Sequence, residues 1–381
     1  MRNTLLNADT NVDFFNSIDR ITTHDWQTLN NSSCPFLGYD FFNALEKSQS
    51  VSVKQGWQPH HLVTTFNDEV TAVMPMYLKS HSWGEYVFDW DWADAFKRNG
   101  IDYYPKLVAT IPFTPVSSDK LLSSHLKIND LFEPLIEHCQ QENINSWHIL
   151  YCAEIKTDLP EDIYQRNTVQ FHWFNRDYKT FDDYLSNFTS RKRKNTRKER
   201  LSVIDQNIKI RQLKNNDITQ QDLDFFYLTY QLTYLKRGHQ PHLSYEFFKQ
   251  LLASMTDNLL LMIASNEQED IACALFFYDD SQLYGRYWGC TKKVNNLHFE
   301  LCYYRGIEFC IQNNLQSFNP GTQGEHKIQR GFEPVLTHSY HWIKHPPFKE
   351  AIKSFCQQEQ AHMLTYQQQC QQLLPFKNQK N

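Results

Sequence analysis

The sequence predicts an α/β chain built by tandem duplication, with two copies of one mixed-sheet domain in a single polypeptide. Apolar residues alternate in short strand-like runs, and between those runs they recur three and four residues apart, as on helices. The order strand, helix, helix, hairpin, strand, helix, strand, helix, strand occurs twice. The repeat also shows in the letters: IEHCQQENINSW from Ile136 sets against IEFCIQNNLQSF from Ile307, with identities at Ile136/Ile307, Glu137/Glu308, Cys139/Cys310, Gln141/Gln312, Asn143/Asn314 and Ser146/Ser317. A length of 381 residues suits two cores rather than one.

NVDFFNSID (residues 11–19) reads as the opening strand, followed by short helices at 25–30 and 39–48. HHLVTTF and VTAVMPMYLKS form a hairpin about Asn67-Asp68, residues that tolerate the left-handed backbone of a tight turn. After the aromatic, acidic FDWDWADAF come the strand PKLVATIPF and a loop at 114–119. A helix at 129–142, the strand SWHILYC, a short helix DIYQRN and a last strand VQFHWF complete the first half. In the second half NIKIRQL is a strand, TQQDLDFFYLTYQLTYLKRG and SYEFFKQLLASM are helices, and LLLMIAS with IACALFFYD is the hairpin. The strand QLYGRYWG follows, then a helix from about His298 whose apolar face is Phe299, Cys302, Tyr303, Ile307 and Cys310. Next come a short strand, SFNP, and a helix, EHKIQRG, that stops at Gly331. The expected organisation is a first domain at 1–176, a basic helical connector at 177–206, a second domain at 207–346 and a Gln-rich helical tail at 347–381.

The net charge of -5 conceals an asymmetry. RKRKNTRKER, residues 191–200, holds seven basic side chains and one acid, a local +6 on a chain that is otherwise -11. Arg191, Arg193, Lys194, Arg197 and Lys198 are therefore candidates for binding phosphate, whether on a nucleic acid or an anionic membrane surface. An ordinary charged fraction excludes global disorder. No apolar run approaches a membrane span, no signal-peptide core precedes the first domain, and nine cysteines without a CxxC pair favour reduced thiols, so the cytoplasm is the expected compartment.

The polar load concentrates between Tyr284 and Phe332, at two strand-to-helix junctions of the kind where α/β sheets bind ligands. Glu300, Glu325, His326 and Lys327 are the candidate catalytic groups. A carboxylate there suits a general base, and the lysine suits an anion or a developing oxyanion. Glu300 also suits a first helical turn, where the helix dipole favours an acid. Arg286, Tyr287, Trp288, Tyr304, Gln323, Arg330, Arg237 and His239 are candidate substrate contacts, although Arg237-Gly238-His239 also reads as a simple helix C-cap. His298 and Cys302 stand four apart but have no further ligands at metal-site spacing, so no metal is expected.

These residues carry a family resemblance. The element order resembles the GNAT acyltransferase fold twice in tandem. Pro112-Phe113-Thr114-Pro115, Ser190 to Asn195 with Arg197, Gly285 to Cys290, His298 to Tyr304, Pro320-Gly321, Gly324 to Lys327 and Arg330-Gly331-Phe332 together resemble the FemAB-like group labelled peptidoglycan biosynthesis or recognition proteins. The resemblance implies transfer of an acyl or aminoacyl group to an amine, with aminoacyl-tRNA or acyl-CoA as donor and a cell-wall peptide as acceptor. It equally admits a non-catalytic module binding a cell-wall peptide or RNA, or a CoA-dependent N-acetyltransferase. Two departures bear on this. The glycine-rich loop that cradles the CoA pyrophosphate in GNAT proteins is here TKKVNNLH, and Lys327 stands where many of them place a tyrosine acid, four residues before Gly331-Phe332.

Overall fold

The computed structural model describes residues 10–156, 158–322 and 324–377. In chain order the first half runs β1 (Asn11–Phe15), α1 (Thr23–Leu29), α2 (Tyr39–Lys47), β2 (Trp57–Pro59), β3 (His61–Phe66), β4 (Glu69–Met74), β5 (Met76–Lys79), α3 (Trp90–Arg98), β6 (Lys106–Ala109), β7 (Leu122–Ser123), α4 (Phe132–Gln141), β8 (Ser146–Cys152) and β9 (Ile163–Phe174). The chain continues through α5 (Phe181–Ser186), α6 (Ser190–Ile204), β10 (Lys209–Lys214), α7 (Gln220–Leu235), α8 (Tyr245–Ser254), β11 (Leu259–Ser265), β12 (Asp270–Tyr278) and β13 (Gln282–Cys290). After α9 (Leu297–Phe299) one helix continues through a π turn at Glu300–Tyr304 into α10 (Arg305–Gln312). β14 (Ser317–Asn319), a 3-10 turn at Glu325–Arg330, β15 (Glu333–Ile343) and α11 (Pro346–Gln372) end the chain.

Contacts group these elements into two compact units, Met1–Thr168 with Leu336–Leu364, and Val169–Val335 with Thr365–Asn381. The first unit holds a small sheet ordered β1-β3-β4-β7 and a mixed sheet in which β2, β5, β6, β8 and β15 are successive neighbours. The second holds β10, β11, β12, β13, β14 and the end of β9. Both mixed sheets follow one rule: an antiparallel run leads to a single parallel pairing, β6 with β8 and β13 with β14. The strand that closes each sheet comes from the other half of the sequence. β8 pairs antiparallel with β15, and β14 pairs antiparallel with β9. The unit boundaries therefore fall inside β9 and β15, and residues 177–206 lie wholly in the second unit.

Three local expectations need correction. Residues 162–167 (DIYQRN) are not a helix: Ile163 begins β9, and both of its faces are covered. Arg166 is buried because it donates to Glu359 at 2.6 and 2.8 Å, so the polar-apolar alternation that marks a half-exposed strand is missing. VTAVMPMYLKS is two strands, because Pro75 has no N–H to donate; β4 joins β3, and β5 joins β2 and β6. The opening strand ends at Phe15 and gives way to a 3-10 turn at Ile18–Arg20. The hairpin at Asn67-Asp68 is present, with φ of 50° and 66°.

Each unit has its own core. Leu62, Met74, Met76, Leu107, Leu135, Trp147, Ile149 and Trp342 fill the first, and Met262, Ala274, Leu283, Ile307, Phe318 and Phe332 the second. Burying each such large side chain stabilises the fold by roughly 1.5–3 kcal/mol. One contact fixes the site strand: α7 crosses β13 so closely that a Cβ on Gly289 would lie 2.1 Å from the Thr229 carbonyl oxygen. There Thr233 Oγ1 donates to the Trp288 carbonyl at 2.9 Å.

Candidate active site

β13 and β14 run parallel only from Gln282 to Tyr284 against Ser317 to Asn319, and then part. β13 continues beside β12, while the other chain turns through Pro320 and Gly321 (φ 87°) into the 3-10 turn. At the parting point β13 carries a bulge. Leu275 pairs with Tyr287 and Phe276 with Gly285, so Arg286 is the extra residue. Bulges re-aim side chains. The Arg286 guanidinium turns back to donate to its neighbour's carbonyl, Gly285 O, at 2.7 Å.

Lys327, 2 % exposed, brings its amine to the same place. Nζ donates to the carbonyls of Gly321 at 2.8 Å and Thr322 at 3.1 Å. Burial, and then the Arg286 charge, lower its pKa to about 7 against a weaker opposing effect of the Cys302 thiol. β9 supplies a third group. The register of Phe174 with Ser317 and Trp173 with Phe318 sets His172 level with Asn319. His172 and Asn319 are both buried; His172 Nε2 lies 3.1 Å from Gln170 Oε1, and Asn319 Oδ1 accepts from Gly321 N–H at 2.9 Å. Burial, then the charges of Lys327 and Arg286, lower the His172 pKa to about 3, so this imidazole is neutral. On the rim Trp288 meets the His298 ring at 5.2 Å, and His326 Nε2 lies 2.9 Å from the Tyr303 hydroxyl. The Cys302 thiol is pushed up by burial, which disfavours a thiolate nucleophile there.

Of the candidates from sequence, the structure brings Arg286, Trp288, His326 and Lys327 together. Glu300 is also buried, but two guanidiniums hold its oxygens: Arg200 Nε at 3.0 Å and Nη2 at 2.9 Å, and Arg305 Nε at 2.9 Å. Its neighbour Glu308 takes Arg200 Nη1 at 2.7 Å, and the group clasps α6 to the π turn. Arg200→Ala is therefore expected to destabilise the protein by about 3 kcal/mol, measured by urea unfolding, because it leaves Glu300 buried with half of its partners. Arg330 and Tyr304 both bond to Glu199 on α6, Arg330 at 2.8 and 2.9 Å, and the Arg330 guanidinium lies 3.5 Å over Phe299. Glu325 is exposed and accepts from the Tyr366 hydroxyl at 2.7 Å. Tyr287 packs under α7 and α8 on Tyr230 and Phe248, at 5.2 and 5.5 Å. Arg237 and His239 are exposed just past α7, on either side of Gly238 (φ 76°). Gln323 lies outside the described residues.

The loop at residues 291–296 has no glycine, and Lys292 in it pairs with Glu269, so no glycine-made phosphate cradle forms ahead of α9. On α6 the polar but inward positions Thr196, Glu199 and Arg200 leave Arg191, Lys194, Arg197 and Lys198 exposed, with Arg193 half-buried; Arg197 meets Asp182 at 2.8 Å. Among the described residues no group of three or more metal-ligating side chains assembles, and no helix is long and apolar enough to cross a membrane. His172, Gln170 and Asn319 were not foreseen, since VQFHWF reads as the last strand of the first domain.

Solved structures similar to this chain include FemX (11 % identity, 87 % of this chain and 98 % of that one, TM-score 0.51) and a conserved protein of unknown function from Bacteroides thetaiotaomicron VPI-5482 (13 %, 88 % and 100 %, 0.49). A tandem GNAT protein from the clavulanic acid biosynthesis pathway is a third (8 %, 88 % and 99 %, 0.46). No curated protein matches the chain. The FemX likeness supports the tandem GNAT-like fold. The FemAB-like model, described as peptidoglycan biosynthesis/recognition, matches residues 17–378, and the chain belongs to that family.

Proposed function

We propose that the second unit transfers an acyl or aminoacyl group to an amine of a cell-wall peptide precursor, in the opening between β13 and β14. The observation that carries this reading is the buried Lys327 amine, held by two backbone carbonyls beside Arg286 and drawn to a pKa of about 7. In the reaction the attacking nitrogen bonds to the acyl carbon, the carbonyl oxygen becomes an oxyanion, and the bond to the donor oxygen or sulfur breaks. Arg286 faces the oxyanion. Neutral Lys327 takes the proton released by the attacking nitrogen and passes it to the leaving group. Glu300 and Glu325 stay outside these steps: one is clasped by Arg200 and Arg305, the other is turned to Tyr366. His172 and Gln170 supply neutral polar walls.

The donor in this reading is an aminoacyl-tRNA, supported by the exposed cations of α6 and the glycine-free loop ahead of α9. Reversing Arg191, Lys194 and Lys198 to Glu is expected to weaken tRNA binding about a hundredfold at low salt and to flatten its salt dependence, measured by filter binding across a salt series. Acetyl-CoA binding with no tRNA binding would move the donor to a thioester. No product from charged tRNA or acyl-CoA, with precursor still bound, would make the protein a recognition module.

A further inference from the structure

We propose that the first unit carries a docking surface for the headgroup region of a phospholipid bilayer, made by two loop tips and one face of α11. The 3-10 turn at Val53–Gln55 and the irregular segment at residues 80–89 are tied together where His81 Nε2 meets the Gln55 carbonyl at 2.9 Å. Between them and the first residue of α3 they expose Val53 (71 %), Trp83 (52 %), Phe88 (58 %) and Trp90 (36 %). The Trp83 and Trp90 rings lie 5.1 Å apart. Arg166 joins the patch to α11: Nη1 donates to the Phe88 carbonyl at 2.8 Å, and the guanidinium lies 5.2 Å from the ring of Phe355, itself 38 % exposed. Soluble proteins rarely leave this many large apolar side chains together in water without a partner.

The rings are held outward by buried charge. Lys106 Nζ bonds Glu85 at 2.8 Å, Ser82 at 2.8 Å and Asp89; Tyr103 donates to Asp89 at 2.6 Å, and Lys79 Nζ to the Trp83 carbonyl at 3.1 Å. Lys79, Glu85, Asp89 and Lys106 are all buried. The charges of this segment therefore point inward, while its aromatic side chains point outward. What remains outside on the two tips is Val53, Trp83 and Phe88 with two neutral polar side chains, Gln55 and Ser80, and one cation, Lys54; on α3 Asp91 and, one turn from Trp90, Asp94 are exposed.

That outward chemistry selects a bilayer over a glycan or a folded partner. Indole is amphipathic and settles among headgroups, Phe and Val enter the acyl boundary, and a cation meets the phosphate. The Trp83 and Trp90 planes are inclined at 59°, so they make no flat platform for a rigid ring. Side chains projecting from loop tips suit a surface that yields.

The test is flotation of the full-length protein with phosphatidylcholine vesicles containing phosphatidylglycerol, together with the tryptophan emission of the bound protein. Binding with a blue shift is expected. Trp83→Ser/Phe88→Ser should weaken partitioning about tenfold or more while tRNA binding is unchanged. Val53→Asp, at the most exposed position, should act in the same direction, which guards against a folding artefact in the double variant. Equal partitioning of wild type and variants would overturn the proposal. So would a concentration-dependent dimer, seen by sedimentation velocity, that the same variants abolish without affecting vesicle binding.

Discussion

Lys327→Met is expected to lower the turnover of acyl transfer about a hundredfold to a thousandfold, the usual loss when a preorganised charge-handling group leaves a dry site. Lys327→Arg should do nearly as badly. It keeps a cation at the spot, but guanidinium stays protonated at any working pH and cannot accept a proton. Wild-type turnover should rise with pH through about 7, as the amine loses its proton, and that limb should vanish in both variants. Stability moves with the same group. An unfolded lysine keeps its proton to about pH 10.4, whereas the native amine releases it near 7. Between those values the unfolded chain binds more protons, so stability rises with pH by about 1.4 kcal/mol per unit, and the penalty of burying the ammonium is fully present below about 7. Lys327→Met should flatten that slope in denaturant titrations. A variant with full turnover and an unchanged pH profile would remove Lys327 from the chemistry.

The second large effect belongs to the first unit. Lys106→Met is expected to cost about 3–5 kcal/mol, measured by chemical denaturation, because it leaves Glu85 and Asp89 buried without their ammonium. Burial alone would disfavour the Lys106 charge; the two carboxylates more than offset it, and its pKa is raised. Exchanging the three together, Lys106→Met with Glu85→Gln and Asp89→Asn, should recover much of the loss, since amides cost far less to bury than stranded carboxylates. No recovery would show that the cost comes from packing and not from charge.

Most of the fold was legible because it rests on patterns of apolar residues. The hairpins, the strands QLYGRYWG and SFNP and the helix from His298 between them follow from alternation and from three-four spacing. Illegibility began where polar residues were buried. Arg166 and Asn167 made the start of β9 look helical, since the partner that lets Arg166 be buried, Glu359, is remote in sequence. The site divided along the same line. Lys327 and Arg286 stood out among glycines at a strand end. Nothing local reveals the bulge that re-aims Arg286, and the sequence by itself does not separate Arg286 from Tyr287 as a substrate contact. Glu300 had the right position on its helix, but its role depends on Arg200 and Arg305, and only Arg305 is near in sequence.

The exchange of closing strands has a consequence for inheritance. A gene fragment ending before β15 would encode a first sheet without its last strand, and a fragment starting after β9 would encode the proposed site without His172 and Gln170. Duplication therefore did not yield two separable modules. Once the strands had crossed, neither copy could be deleted, transplanted or lost to drift without unravelling the other. Selection on the chemistry of one half thus preserves the other.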